Sequence, residues 1–144
     1  RDVERSRGLG DVYKRQDLSE ESVAFARRHN AGELDRRCFI QQGDVCSLPY
    51  GDGAFDAVTA FETVYFWSSV SKALAEVFRV IRKGGCFLIS LEASDPELGK
   101  AWTERIKGMT VYGAEELKQL LSQAGFSDIR VIQKKEELHI VAHK

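Results

Sequence analysis

Val70–Glu92 reads VSKALAEVFRVIRKGGCFLISLE, and this stretch decides the fold. Val70, Leu74, Val77, Phe78 and Ile81 recur at helical spacing, with Lys72, Glu76, Arg79 and Arg82 opposite them, so the first half is an amphipathic helix. Gly84-Gly85 is the expected C-terminal stop. Cys86–Glu92 (CFLISLE) follows as an apolar run of strand length, and upstream Phe55–Phe61 (FDAVTAF) has the same character. Strand, helix and strand thus alternate through short connections. Parallel neighbours need a crossover, and a helix supplies it, so the pattern predicts an α/β fold with a mainly parallel sheet and helices on its faces.

Working outward, Ser19 is a good N-cap for a helix over Glu20–Asn30. Glu20 and Glu21 sit at its positive start, Val23, Phe25 and Ala26 form its apolar stripe, and Gly32 lies beyond its end. Cys38–Gln41 is a short strand, and Gly43–Gly53, with Pro49 and Gly51-Asp52-Gly53, is loop. Downstream, helices are predicted at about Glu97–Lys107 and at Ala114–Ala124, the latter with Leu117, Leu120 and Leu121 inward and Gly125 at its end. Asp128–Gln133 and Glu137–His143 alternate around Lys134–Glu136, which predicts an antiparallel hairpin at the edge of the sheet. Arg1–Gln16 differs from all of this: five basic and three acidic residues with little apolar periodicity make a poor strand or helix.

The length of 144 residues suits one domain, and 43% hydrophobic with 30% charged residues is the composition of a globular protein. A formal net charge of −1 gives no basic surface for nucleic acid and no polybasic membrane anchor, which leaves small molecules as the expected partners. No apolar stretch reaches bilayer length and no signal layout opens the chain, so a cytoplasmic location is expected. Cys38, Cys46 and Cys86 lack CxxC spacing, and His29, His139 and His143 complete no ligand pattern, so neither a disulfide framework nor a metal site is expected.

Asp17-Leu18-Ser19, Gly43-Asp44-Val45, Leu48-Pro49, Phe55-Asp56-Ala57-Val58 and Arg79-Val80-Ile81-Arg82-Lys83-Gly84-Gly85 occur in that order. Val111–Leu117 and Ala124-Gly125-Phe126 close the series. The set resembles the small-molecule branch of the class I S-adenosylmethionine-dependent methyltransferases over Asp17–Lys144. The resemblance implies a Rossmann-like fold with a C-terminal antiparallel hairpin and S-adenosylmethionine as cofactor. It implies that Asp17, beside Leu18, binds the ribose hydroxyls, that Asp44 accepts from the adenine amino group, and that the Val45 backbone N–H donates to the ring. Ala60 and Phe61 are implied at the methionine end of the cofactor, with Glu62 as a general base. Tyr65, Phe66, Trp67 and Tyr112 are implied on the acceptor side. Structural readings stand beside these: turn chemistry for Asp44, an exposed loop for Glu62 and hydrophobic packing for the three aromatics.

The family's apolar first strand and glycine-rich loop find no counterpart. Gly8-Leu9-Gly10 mimics part of the loop, but Tyr13 holds the third glycine's place, and Asp17 follows too soon for an intervening helix and strand. The expectation is therefore a partial methyltransferase domain over 17–144 behind a non-family segment, 1–16, with impaired methyl transfer. In the family's sheet the missing strand is central, so either Val12–Gln16 is recruited as a makeshift strand or the third strand and first helix dock loosely. Two other functions compete. A nicotinamide-dependent oxidoreductase uses a similar fold, although no YxxxK follows Tyr13, Tyr50, Tyr65 or Tyr112. A non-catalytic remnant or interaction module is the other.

Overall fold

The computed structural model describes residues 12–144, which fall into two compact units, one ending at Asp44 and the other spanning Val45–Lys144. The first contains β1 (Tyr13–Asp17), α1 (Glu20–His29) and β2 (Cys38–Gln42). β1 and β2 pair in parallel, residue for residue, from Tyr13↔Cys38 to Asp17↔Gln42. Tyr13–Gln16, a poor strand by composition, is thus a strand. The reason is that ladder bonds come from backbone groups whatever the side chains, and that this strand carries no large apolar face to hide. Tyr13 and Lys14 are exposed, and Lys14 Nζ rests 3.8 Å over the Phe39 ring. The expectations for Arg1–Arg7 and Gly8-Leu9-Gly10 lie outside the described residues. α1 begins as its sequence requires, Ser19 Oγ accepting from the Ser22 N–H at 3.2 Å, and Asn30 caps its end by donating to the Ala26 carbonyl at 2.7 Å.

The second unit contains β3 (Phe55–Phe61), α2 (Val70–Val80), β4 (Ile81–Leu91), α3 (Lys100–Thr103), α4 (Ala114–Ala124), β5 (Ser127–Lys134) and β6 (Glu137–His143). Its sheet order is β3-β4-β6-β5, with β3 and β4 parallel and the two pairings of β6 antiparallel. The core joins Leu74 and Val77 of α2, Leu117 and Leu121 of α4, Phe87, Ile89 and Leu91 of β4, and Leu138 and Ile140 of β6, all buried. Spacing of two on the strands and of three or four on the helices aims these side chains at one interior.

Two elements depart from their sequence patterns. α2 ends at Val80 and β4 starts at Ile81 with no loop between, so Gly84-Gly85 lies inside a strand rather than behind a helix. Phe55 pairs with Ile81, and the register then shifts so that Ala57 meets Cys86. Gly85 permits this, because a Cβ there would stand 2.6 Å from the Asp56 carbonyl oxygen. The helix predicted at Glu97–Lys107 shrinks to the single turn of α3. Leu98, Trp102 and Ile106 share its apolar face but are exposed, and a helix without tertiary burial of that face is marginal.

Arg79 holds the loop ahead of β3. Its guanidinium donates to the Leu48 and Tyr50 carbonyls at 3.0 and 2.7 Å, to Asp52 at 2.9 Å, and twice to Glu76 at 2.8 and 3.0 Å. Glu76 completes the clamp by accepting the Leu48 N–H at 2.8 Å. Among the described residues no helix is long and apolar enough to cross a membrane.

Candidate functional site

Because β1 and β2 run parallel and in register, both end on one edge of their pair, and this edge carries the first polar constellation. Asp17 closes β1 and Asp44 stands two residues beyond β2, exposed. The Gly43 N–H donates to the Asp17 carbonyl at 3.0 Å and Gln42 Nε2 to the Leu18 carbonyl at 3.0 Å, tying the two strand exits together. Asp17 Oδ1 accepts the Ser19 N–H at 3.0 Å, which fixes the carboxylate and leaves capacity on its oxygens. Gln16 Nε2 is buried with no hydrogen-bond partner among the described residues. It packs so closely on Gly43 that a Cβ there would lie 2.8 Å away. A fixed carboxylate, a second carboxylate and an orphaned amide donor on one edge match the hydroxyls and ring nitrogens of a nucleoside.

In the second unit the carboxyl end of β3 leads from buried Ala60 through half-exposed Phe61 to Glu62, whose φ of +54° is unusual for a residue with a side chain. That turn aims the carboxylate at the exit of β4. Glu62 Oε1 accepts the Glu92 N–H at 2.6 Å and Oε2 accepts the Tyr65 hydroxyl at 3.2 Å, while the Tyr65 oxygen accepts the Ala93 N–H at 2.9 Å. Burial chiefly, with the neighbouring Glu62 charge, pushes the Tyr65 phenol up to about 12, against the lowering pull of the Ala93 and Glu92 N–H groups. Tyr65 is therefore a neutral donor at physiological pH. Glu62, Tyr65, Glu92, Ala93, Trp102, Met109 and Glu136 line a cavity of about 300 Å³.

Of the acceptor-side residues named from sequence, Tyr65 reaches this cavity, while Phe66, Trp67 and Tyr112 are not among its lining residues. A 3₁₀ turn over Val64–Phe66 separates the three aromatics. Tyr65 is buried, Phe66 is half exposed, and Trp67 stacks on Phe87 with ring centroids 6.5 Å apart. Val45 likewise packs against the core with its side chain. Glu92 and Ala93 were legible in principle, since they leave a strand at its carboxyl end. Trp102 comes from α3, Met109 from the segment after it and Glu136 from the β5–β6 turn, and no local pattern marks them. No group of three or more His, Cys, Asp or Glu among the described residues could hold a metal ion.

The family model for a methyltransferase domain matches residues 6–89. A fatty-acid O-methyltransferase of Mycolicibacterium smegmatis is 40% identical over 78 residues, covering 54% of this chain and 27% of that protein. A malonyl-acyl-carrier-protein O-methyltransferase of Erwinia pyrifoliae is 34% identical over 103 residues, covering 70% and 37%. Among solved structures, the cyclase SpnF superposes with a TM-score of 0.75 at 27% identity, covering 90% of this chain and 48% of that one. The chain spans between about a quarter and a half of the length of the first curated relatives it matches. The alternation of strands and helices, the antiparallel β5–β6 hairpin and the match over more than half of its residues agree: the chain belongs to the class I S-adenosylmethionine-dependent methyltransferases, with their Rossmann-like α/β fold and their cofactor S-adenosylmethionine.

Proposed function

We propose that the protein transfers a methyl group from S-adenosylmethionine to a small-molecule acceptor. The observation that carries this reading is the nucleoside-shaped donor and acceptor set at the shared exit of β1 and β2. Asp17, held by the Ser19 N–H, offers its remaining lone pairs to the ribose hydroxyls. Asp44 accepts from the adenine amino group, and Gln16 Nε2 gains the acceptor it lacks. When bound, the cofactor supplies an electrophilic methyl group on a sulfonium sulfur. The chain's own part is orientation, which suffices for large accelerations in a displacement reaction. In the second unit the Glu62 cavity receives the acceptor, and the Glu62 carboxylate, steadied by the Glu92 N–H and the Tyr65 hydroxyl, takes up the proton that the acceptor releases.

Two of the relatives are named for acyl acceptors, a fatty acid and malonyl-acyl-carrier protein, which supports the small-molecule class. Calorimetric titration with S-adenosylmethionine, S-adenosylhomocysteine and NAD tests the reading. Binding of the first two and not of NAD supports it, and selective binding of NAD overturns it in favour of an oxidoreductase.

A further inference from the structure

We propose that the acceptor taken by the Glu62 cavity carries a basic nitrogen, so that the protein methylates a small amine rather than a carboxylic acid; this rests on the methyl-transfer reading above. Among the described residues that line it, three are glutamates, Glu62, Glu92 and Glu136, and none is basic. The nearest basic residues in sequence, Lys100, Lys107, Lys134 and Lys135, are outside the lining, and Lys100 pairs with Glu97 at 3.4 Å. The remaining walls are Tyr65, Trp102, Met109 and Ala93. Aromatic faces and carboxylates attract an ammonium group, whereas a carboxylate entering this cavity would meet like charges. The volume of about 300 Å³ lies at the small end of ligand sites.

The chemistry balances. The bound ammonium gives one proton to the Glu62 carboxylate, and the freed lone pair forms a bond to the methyl carbon. The carbon–sulfur bond of S-adenosylmethionine breaks with its electron pair returning to sulfur. The product is a methylated ammonium and a neutral thioether.

The test is an amide-resolved NMR titration of the 144-residue chain with three probes of one shape: 2-phenylethylamine, 2-phenylethanol and phenylacetate. The amine is expected to bind at least about tenfold tighter than phenylacetate, with shifts at Glu62, Ala93 and Met109, and to weaken as salt is raised. The combined Glu92→Gln and Glu136→Gln variant should bring the two affinities within about threefold. Should either substitution unfold the chain, the salt dependence of the unsubstituted protein carries the same information. Equal or tighter binding of phenylacetate, or shifts located elsewhere, overturns the proposal. So does displacement of the amine by S-adenosylmethionine, which would make the cavity the seat of the cofactor's own cationic end. Amine selectivity without any cofactor binding upholds the cavity's preference and refutes the methyl-transfer reading instead.

Discussion

Replacing Glu76 by glutamine probes the clamp that holds the loop ahead of β3. The Arg79 guanidinium chiefly, and then the Leu48 N–H, lower the Glu76 carboxyl from its ordinary 4.5 to about 2, with burial opposing them. A folded value below the unfolded one means that ionised Glu76 stabilises the native state. The contribution is complete above about pH 4.5 and is lost as the pH falls toward 2. At about 1.4 kcal/mol per pH unit the interval sets a ceiling of about 3 kcal/mol. The side chains of Arg79 and Glu76 are 31% and 22% exposed, so solvent screening leaves roughly half of that. Both tryptophans, Trp67 and Trp102, lie in the Val45–Lys144 unit, and their fluorescence during urea unfolding reports on the unit that holds the clamp. Glu76→Gln should cost about 1–2 kcal/mol at pH 7, and its difference from the unsubstituted protein should shrink steadily between pH 4.5 and 2.5. A difference that stays constant with pH, or grows in acid, refutes the reasoning.

Asp44→Ala should weaken S-adenosylmethionine binding by about 1–3 kcal/mol, the scale for removing one partner of a buried hydrogen bond, and an unchanged calorimetric affinity removes Asp44 from the adenine site. Glu62→Gln should lower the Tyr65 phenol from about 12 while leaving it above 10, because burial is the leading cause of its elevation; a phenolate absorbance titration decides, and no change would mean that Glu62 exerts no field there. Gly125→Ala should destabilise the protein by about 1–3 kcal/mol, since φ is +110° and a Cβ would lie 2.9 Å from the Phe78 ring; an unaltered melting temperature contradicts this.

The elements most legible in the sequence are those whose burial repeats with a period. α4 covers Ala114–Ala124, where Leu117 and Leu121 point into the core, whereas β3 spans Phe55–Phe61 as its apolar run indicates but buries only Ala60. In the hairpin, β6 keeps its expected bounds and β5 extends one residue beyond them at each end. What periodicity cannot convey is partner choice. Leu98, Trp102 and Ile106 have helical spacing, but that face is exposed, so the helix stops after one turn. β1 reverses the lesson, because its pairing with β2 is carried by backbone groups that no side-chain pattern advertises. In the candidate site, Asp17, Asp44 and Glu62 follow from the rule that ligands meet strand ends. Glu136 looks like a solvated turn in sequence, and only the antiparallel return of β6, with Leu138 opposite Leu91, brings that turn to the exit of β4.

That same return has a consequence for synthesis. In the β3-β4-β6-β5 order, β4 has the early strand β3 on one side and receives its other neighbour from the strand translated last within the unit. A nascent chain that has reached only β5 carries β4 with one edge unladdered and β5 with no partner strand. The ribosome must therefore release nearly the whole Val45–Lys144 segment before the sheet can close. Folding of this unit is late and rich in contacts distant along the chain, which is the regime where rates are slow and transient edges invite chaperones.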